Sequence, residues 1–274
     1  VFADSPAVRK TFAALSLLVL VSLCSAVQAQ TKPRRTELGG EPVESVLWVG
    51  NSFFYYNNSM HGHVGQLVKA ADPQSHARGV SVTISGSGID WHDMASYLRP
   101  GGIGKYSFVP GNMIVFNKPG RQFDTVIVMD CSQCPIHPQL KSVFHEYVKK
   151  DRDIIVKAGA RPVLFMSWAY KDKPEMTAQL AEAYTAAGNE NDALVIPAGL
   201  AFARAIGKRP DLEFYQSDKR HPTLIGTYLA ACTTYAAVFG KSPVGNPYTA
   251  GIDADTAKFL QTVAMETVNE YYGR

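Results

Sequence analysis

Short apolar runs alternate with amphipathic stretches along most of this chain, and that alternation leaves few folds open. The runs at 46–49, 80–84, 124–129, 162–166 and 194–196 are brief and bounded by turn-forming residues. Such runs predict strands, most of them buried on both faces. The second alternates as Val80-Ser81-Val82-Thr83-Ile84 and ends at Ser85-Gly86-Ser87-Gly88, a strand followed by a turn. Between the runs, residues 61–71 carry Val64, Leu67, Val68 and Ala71 at helical spacing. Residues 139–158 likewise carry Leu140, Val143, Phe144, Tyr147, Ile154, Ile155 and Ala158. Further helices are expected over 91–98, over 174–188 with a stop at Gly188-Asn189, from the fifth run to about 206, and over 223–239 and 253–272. Residues 99–123 are rich in Gly and Pro and are expected to be loop or an edge hairpin. The order βαβαβαβαβαα predicts an α/β fold, a three-layer α/β/α sandwich around a central, mostly parallel five-stranded sheet. Right-handed crossovers restrict its topology, and in such sheets ligands bind beyond the carboxyl ends of the strands.

The amino end reads differently. Arg9 and Lys10 precede an uncharged apolar run over 12–29 that closes on Val27-Gln28-Ala29. A positive flank, a short apolar core and small residues at the end predict a secretory signal peptide over 1–29. The run is short for a membrane-spanning helix, which needs about 20 residues, and bulky Leu23 before Cys24 argues against a lipoprotein site. Residues 30–44 are polar, hold Pro33, Pro42 and Gly39-Gly40, and are expected to form a flexible linker. Residues 45–274 then form one domain. Export to a secreted or periplasmic location follows, without stable membrane insertion once the signal is removed. The net charge is +3 over 274 residues, with no Lys/Arg block, so no nucleic-acid surface is indicated.

Past the leader, three cysteines remain: Cys131, Cys134 and Cys232. Cys131-x-x-Cys134 invites a zinc or a redox reading. No second Cys/His pair stands at ligand spacing, since His61-Gly62-His63 is the only other cluster, and zinc needs about four ligands. Pro135 and Pro138 make the segment more loop than the helix start of a thioredoxin-like centre. No metal or organic cofactor is expected. Gly101-Gly102-Ile103-Gly104-Lys105 lacks the spacing of a phosphate loop and the Ser/Thr after its Lys.

The strand ends carry the chemistry. After the first comes Gly50-Asn51-Ser52, after the second Gly86-Ser87-Gly88, after the third Asp130-Cys131-Ser132-Gln133. Ser217-Asp218-Lys219-Arg220-His221-Pro222-Thr223 precedes the penultimate helix. Singly these have plain structural readings, a turn with a helix-capping Ser or a helix start with Pro in its first turn. Together they supply a serine, a base, an acid and candidate oxyanion donors, the requirements of acyl transfer.

In this order the set resembles the SGNH (GDSL-like) hydrolase superfamily of esterases and acyl hydrolases, over roughly residues 46–240. Gly50-Asn51-Ser52 stands where the family has Gly-Asp-Ser, with Asn in place of Asp. Asp218-x-x-His221, followed by Pro222, matches the late Asp-x-x-His. Gly86, or less readily Gly88, corresponds to the glycine after the second strand. Cys131 to Cys134 fall on the four positions of Gly-x-Asn-Asp, so Gln133 occupies the Asn position with a side chain one methylene longer. The resemblance implies a flavodoxin-like sheet and a serine esterase. In it Ser52 is the nucleophile, His221 the base and Asp218 its orienting acid. The backbone N–H groups of Ser52 and Gly86 and the Gln133 amide form the oxyanion hole.

Relatives of this kind act on acetylated sugars, lipids and thioesters. Aromatic residues in expected loops (Phe53, Phe54, Tyr55, Tyr56, Trp91) suit a glycan ester, and O-deacetylation of carbohydrates is the expectation. The alternative is a non-catalytic carbohydrate-binding domain on the same scaffold, suggested by the departures at Asn51 and Gln133. A thiol redox protein built on Cys131 and Cys134 is the third. His92, His137 and His145 are expected at the surface or in loops. Trp48 is expected to pack, and Trp91 to pack or line a pocket mouth.

Overall fold

A computed structural model describes residues 31–274, and the expected leader at 1–29 lies outside the described residues. Along the chain run β1 (Ser45–Gly50), α1 (Ser52–Tyr55), α2 (Met60–Ala71), β2 (Arg78–Thr83), α3 (Met94–Leu98), β3 (Tyr106–Val109) and β4 (Met113–Phe116). There follow β5 (Thr125–Val128), α4 (Lys141–Lys157), β6 (Arg161–Phe165), α5 (Met176–Glu190), β7 (Leu194–Ile196), α6 (Ala198–Lys208), α7 (Leu224–Phe239) and α8 (Ala254–Tyr272). Short 3₁₀ turns occupy Ile89–Trp91 and Cys134–Ile136.

Five strands form one sheet in the order β2-β1-β5-β6-β7. All its pairings are parallel. Counting only these strands, the order is 2-1-3-4-5, the flavodoxin-like arrangement, which reverses direction between β1 and β5. The period of two that sets strand faces divides the core cleanly. Trp48, Ile127, Phe165 and Ile196 turn toward α2, α6, α7 and α8, while Leu47, Val126, Leu164 and Val195 turn toward α4 and α5. Helix α7 is buried on nearly all sides, as its almost uniformly apolar and small sequence requires. At the opposite rim from the strand ends, Asp124 ties three strands at their start. It accepts from the N–H of Glu44 and Ser45 and pairs with Arg161 at 3.0 Å. Burial alone would raise its pKa, but hydrogen bonds from Thr125, Glu44, Ser45 and Arg161 outweigh burial and hold it below the usual value.

The structure differs from expectation in three places. Helix α5 runs through Gly188 to Glu190. A Cβ at Gly188 would stand 2.4 Å from Val195 Cγ2 and 3.1 Å from Ala193 O, so this glycine serves close helix–strand contact and not termination. The Gly/Pro-rich stretch folds into an antiparallel hairpin, β3–β4, but as a separate two-stranded sheet and not at the edge of the main one. Residues 31–44, expected as a flexible linker, are fastened to the domain. Thr31 Oγ1 donates to Glu182 at 2.6 Å, Arg34 N to Asn189 Oδ1 at 2.7 Å and Arg35 Nη1 to Asp192 Oδ2 at 2.7 Å. Arg161 donates to the carbonyls of Gly39 and Glu41, and Leu38 is buried in the core. Two apolar side chains, Leu38 and Val43, among polar neighbours carry no periodicity, so composition alone reads the segment as loose.

Candidate active site

Strand β1 ends where the chain turns abruptly into α1, and the turn is held by Asn51. Its Oδ1 accepts from Phe53 N, while its Nδ2 donates to Ser87 O at 3.0 Å and to Asp130 O at 3.2 Å. One buried amide thus joins the end of β1 to the loops that follow β2 and β5. An ionised carboxylate has no donor to offer two carbonyls, which gives the Asn at this position a physical reason. Ser52 follows as the first residue of α1 and is buried.

The other half arrives 169 residues later. His221 Nε2 lies 2.8 Å from Ser52 Oγ, and His221 Nδ1 lies 2.5 Å from Asp218 Oδ2. Because an ionised carboxylate only accepts, Nδ1 carries the proton and Nε2 is free to accept from the serine hydroxyl. Asp218 Oδ1 also accepts from the N–H of Arg220 and of His221, each at 2.9 Å. Partial burial would raise the Asp218 pKa, but the imidazole and these two N–H groups outweigh it and bring it down to about 2. These hydrogen bonds favour the charged form of the acid. The loop is braced: Gln216 N donates to His221 O, Trp168 Nε1 to Arg220 O at 3.0 Å, and Lys171 N to Lys219 O. Lys219 holds a positive φ of 64°, a backbone state that persists only where the surroundings over-determine it.

The remaining expected residues are less closely joined. Gly86 sits on the exposed turn after β2 with φ +72°, a conformation that favours glycine. Its N–H and that of Ser52 have no hydrogen-bond partner among the described residues. Gly88 is buried close to Asp90 and Asp130. Gln133 is exposed, and its amide engages no partner among the described residues, so its role as third donor rests on sequence register alone. Cys131 and Cys134 are joined in a disulfide, and Cys232 is a buried free thiol. Asp130 lies beside the bridge, but two sulfurs bonded to each other offer no thiolates to a metal.

Several contacts around these residues leave no trace in the sequence, and Phe53 and Tyr56, expected in loops to suit a glycan ester, pack on the imidazole. Tyr56 stacks on the His221 ring at 4.2 Å and 11°, and Phe53 meets it edge-on at 5.6 Å. Phe53, Trp168 and Phe202 form a stack behind the serine. His63 is buried: one ring nitrogen meets Tyr248 Oη at 2.7 Å and the other Asn57 O at 2.6 Å. Asn57 Nδ2 then donates to Pro222 O and Thr227 Oγ1, which fixes the residue beside His221. Asn57, Asn58 and Ser59 all hold positive φ, a concentration of strain directly after α1. His92 is also buried, with Nε2 3.0 Å from Ser87 Oγ, and burial lowers its pKa.

A cavity of about 360 Å³ opens beside Gly86. It is bounded by Asp90, Trp91, Asp130, the disulfide, Leu140 and Val143. Trp91 is 60% exposed there. Burial pushes the Asp130 carboxyl up to about 6, against the N–H groups of Ile89 and Cys131 that favour its charged form.

No family model matches the chain, and no curated protein does. Solved structures do. A DUF4886 family protein from Bacteroides uniformis is 21% identical, with a TM-score of 0.55 over 81% of this chain and 93% of its own. A protein from Slackia heliotrinireducens, provisionally classed as an SGNH hydrolase, is 19% identical, with a TM-score of 0.50 over 71% of this chain and 98% of its own. The acetyl xylan esterase AlAXEase is 12% identical, with a TM-score of 0.51 over 71% and 99%. With the 2-1-3-4-5 parallel sheet between helical layers, these matches identify the fold of this chain as that of the SGNH hydrolases.

Proposed function

We propose that the protein is an exported serine esterase that removes acyl groups, and O-acetyl groups in particular, from carbohydrate esters. The contact between Ser52 Oγ and His221 Nε2, backed by Asp218 on the far ring nitrogen, carries this reading. Ser52 Oγ attacks the ester carbonyl while His221 Nε2 takes its proton. The carbonyl oxygen becomes an oxyanion, held by the N–H groups of Ser52 and Gly86 and by the Gln133 amide. The C–O bond to the alcohol breaks, and His221 returns the proton to the leaving oxygen. Water, deprotonated by His221, then attacks the acyl-serine, and Ser52 leaves with that proton. Asp218 keeps the imidazole in one tautomer and stabilises its cationic form at each transfer.

The substrate class rests on the cavity beside Gly86. An exposed indole can lie against the face of a sugar ring, and the exposed Asp90 carboxylate can accept from its hydroxyls. A structural neighbour is an acetyl xylan esterase. Export rests on the apolar stretch over 12–29.

Purified protein is expected to release acetate from acetylated xylan and from p-nitrophenyl acetate, and Ser52→Ala to lose both activities. Glycan binding without acetate release would instead identify a non-catalytic carbohydrate-binding domain.

A further inference from the structure

The β3–β4 hairpin is built unlike the rest of the surface. Tyr106 pairs with Phe116 and Phe108 with Ile114, which puts four large apolar side chains on one face of a two-stranded ribbon. All four are more than half exposed, with Phe108 at 70% and Phe116 at 69%. Val115 and Met113 extend apolar surface onto the other face, where they are also exposed. An isolated two-stranded hairpin is marginal in water, and an apolar patch of this extent is unusual on a protein surface unless something covers it.

Charge indicates what covers it. Residues 99–123 contain Arg99, Lys105, Lys118 and Arg121 and no Asp or Glu. Lys105 directly precedes the first strand and Lys118 follows the second by two residues, both at the base of the ribbon. Aromatic and aliphatic side chains on a projecting tip, ringed at the base by cations, suit an interface with hydrocarbon below and anionic headgroups above. Face-to-face pairing of two such hairpins would instead bring like charges together.

We propose that the β3–β4 hairpin docks the protein on anionic lipid bilayers by inserting Phe108, Ile114 and Phe116 at the interface. Its orientation has a consequence. The hairpin stem adjoins the amino ends of the strands, with Arg78 at the start of β2 donating to Gln122 O and Gly104 packing near Phe123. Ser52 and Gly86 follow the carboxyl ends. In a parallel sheet these are opposite rims, so a docked molecule presents Ser52 away from the bilayer. The lipid is an anchor and not the substrate. Among the described residues no helix is long and apolar enough to cross a membrane, and the inferred attachment is peripheral.

The test places a reporter in the hairpin itself, because the apolar stretch over 12–29 can bind lipid independently. Phe108→Trp in the full chain is mixed with vesicles of phosphatidylglycerol and phosphatidylcholine, some carrying brominated acyl chains. Tryptophan emission is compared with that of the parent chain. The expected result is a blue shift and bromine quenching in excess of the parent. Adding Lys105→Glu and Lys118→Glu should weaken vesicle affinity at least about 25-fold, from about fivefold per cation removed. Phosphatidylcholine alone should give little response. Quenching no greater than the parent's would overturn the proposal. So would a blue shift that follows protein concentration without vesicles, which would assign the patch to a second copy of the chain. Hydrolysis of a water-soluble ester is expected to be unchanged in these variants, so docking and catalysis fail or stand separately.

Discussion

Asn51 shows how much one side chain decides at this site. Its amide donates to carbonyls in the loops after two other strands, so Asn51→Asp would press a carboxylate against both. Urea unfolding at pH 7 should show a loss of about 1–3 kcal/mol. The new acid would have a raised pKa, so the deficit should shrink as pH falls toward 4. Asp218→Asn is expected to preserve the fold but lower kcat by about 10⁴, because the imidazole loses the partner that fixes its tautomer. Asn57→Ala removes the brace on Pro222 and should lower kcat about tenfold with little change in KM, since it moves the base and not the substrate. Ser52, Asp218 and His221 were legible in sequence because each belongs to a short local motif. Trp168, His63 and the stacking of Tyr56 on the imidazole were not, because these contacts depend on which loops meet in space. His63 in particular stands on α2 and meets Tyr248, 185 residues further along the chain.

At the scale of elements, α4 carries an unusual group. Asp151 is buried against the sheet, and its Oδ2 has no hydrogen-bond partner among the described residues. Burial raises its pKa to about 7. A carboxyl whose folded pKa exceeds its unfolded value binds its proton more tightly when folded, so stability falls as pH rises from about 4 through about 7. Asp130, raised to about 6, adds the same sign. Asp151→Asn should flatten this slope and raise stability at pH 8 by up to a few kcal/mol, with little change at pH 4, as read from melting temperature across pH. The strands and long helices were legible because buried runs and 3.6-residue spacing leave direct traces. The end of α5 was not, because a glycine that admits Val195 and a glycine that stops a helix look alike in sequence. Helix α1, four residues long, is too short to show a period.

At the scale of the whole molecule, the sheet order brings chain ends together. Reversal of strand order between β1 and β5 opens the crevice where Ser52 emerges, and the loop before α7 returns to it with His221. The docked segment 31–44 is part of the same unit, with Leu38 in the core beneath it. Leu38→Ala is expected to cost about 2 kcal/mol in urea unfolding, whereas a loose linker would show no loss. The central claim, that a hydroxyl from near one end of the domain is activated by an imidazole from near the other, is tested most directly by a fluorophosphonate probe. Such a probe should add to the protein at a single residue, identified as Ser52 by peptide mass, and the adduct should be lost in His221→Ala. Labelling that persists undiminished in His221→Ala, or that never forms on Ser52 in the folded parent, would contradict the account.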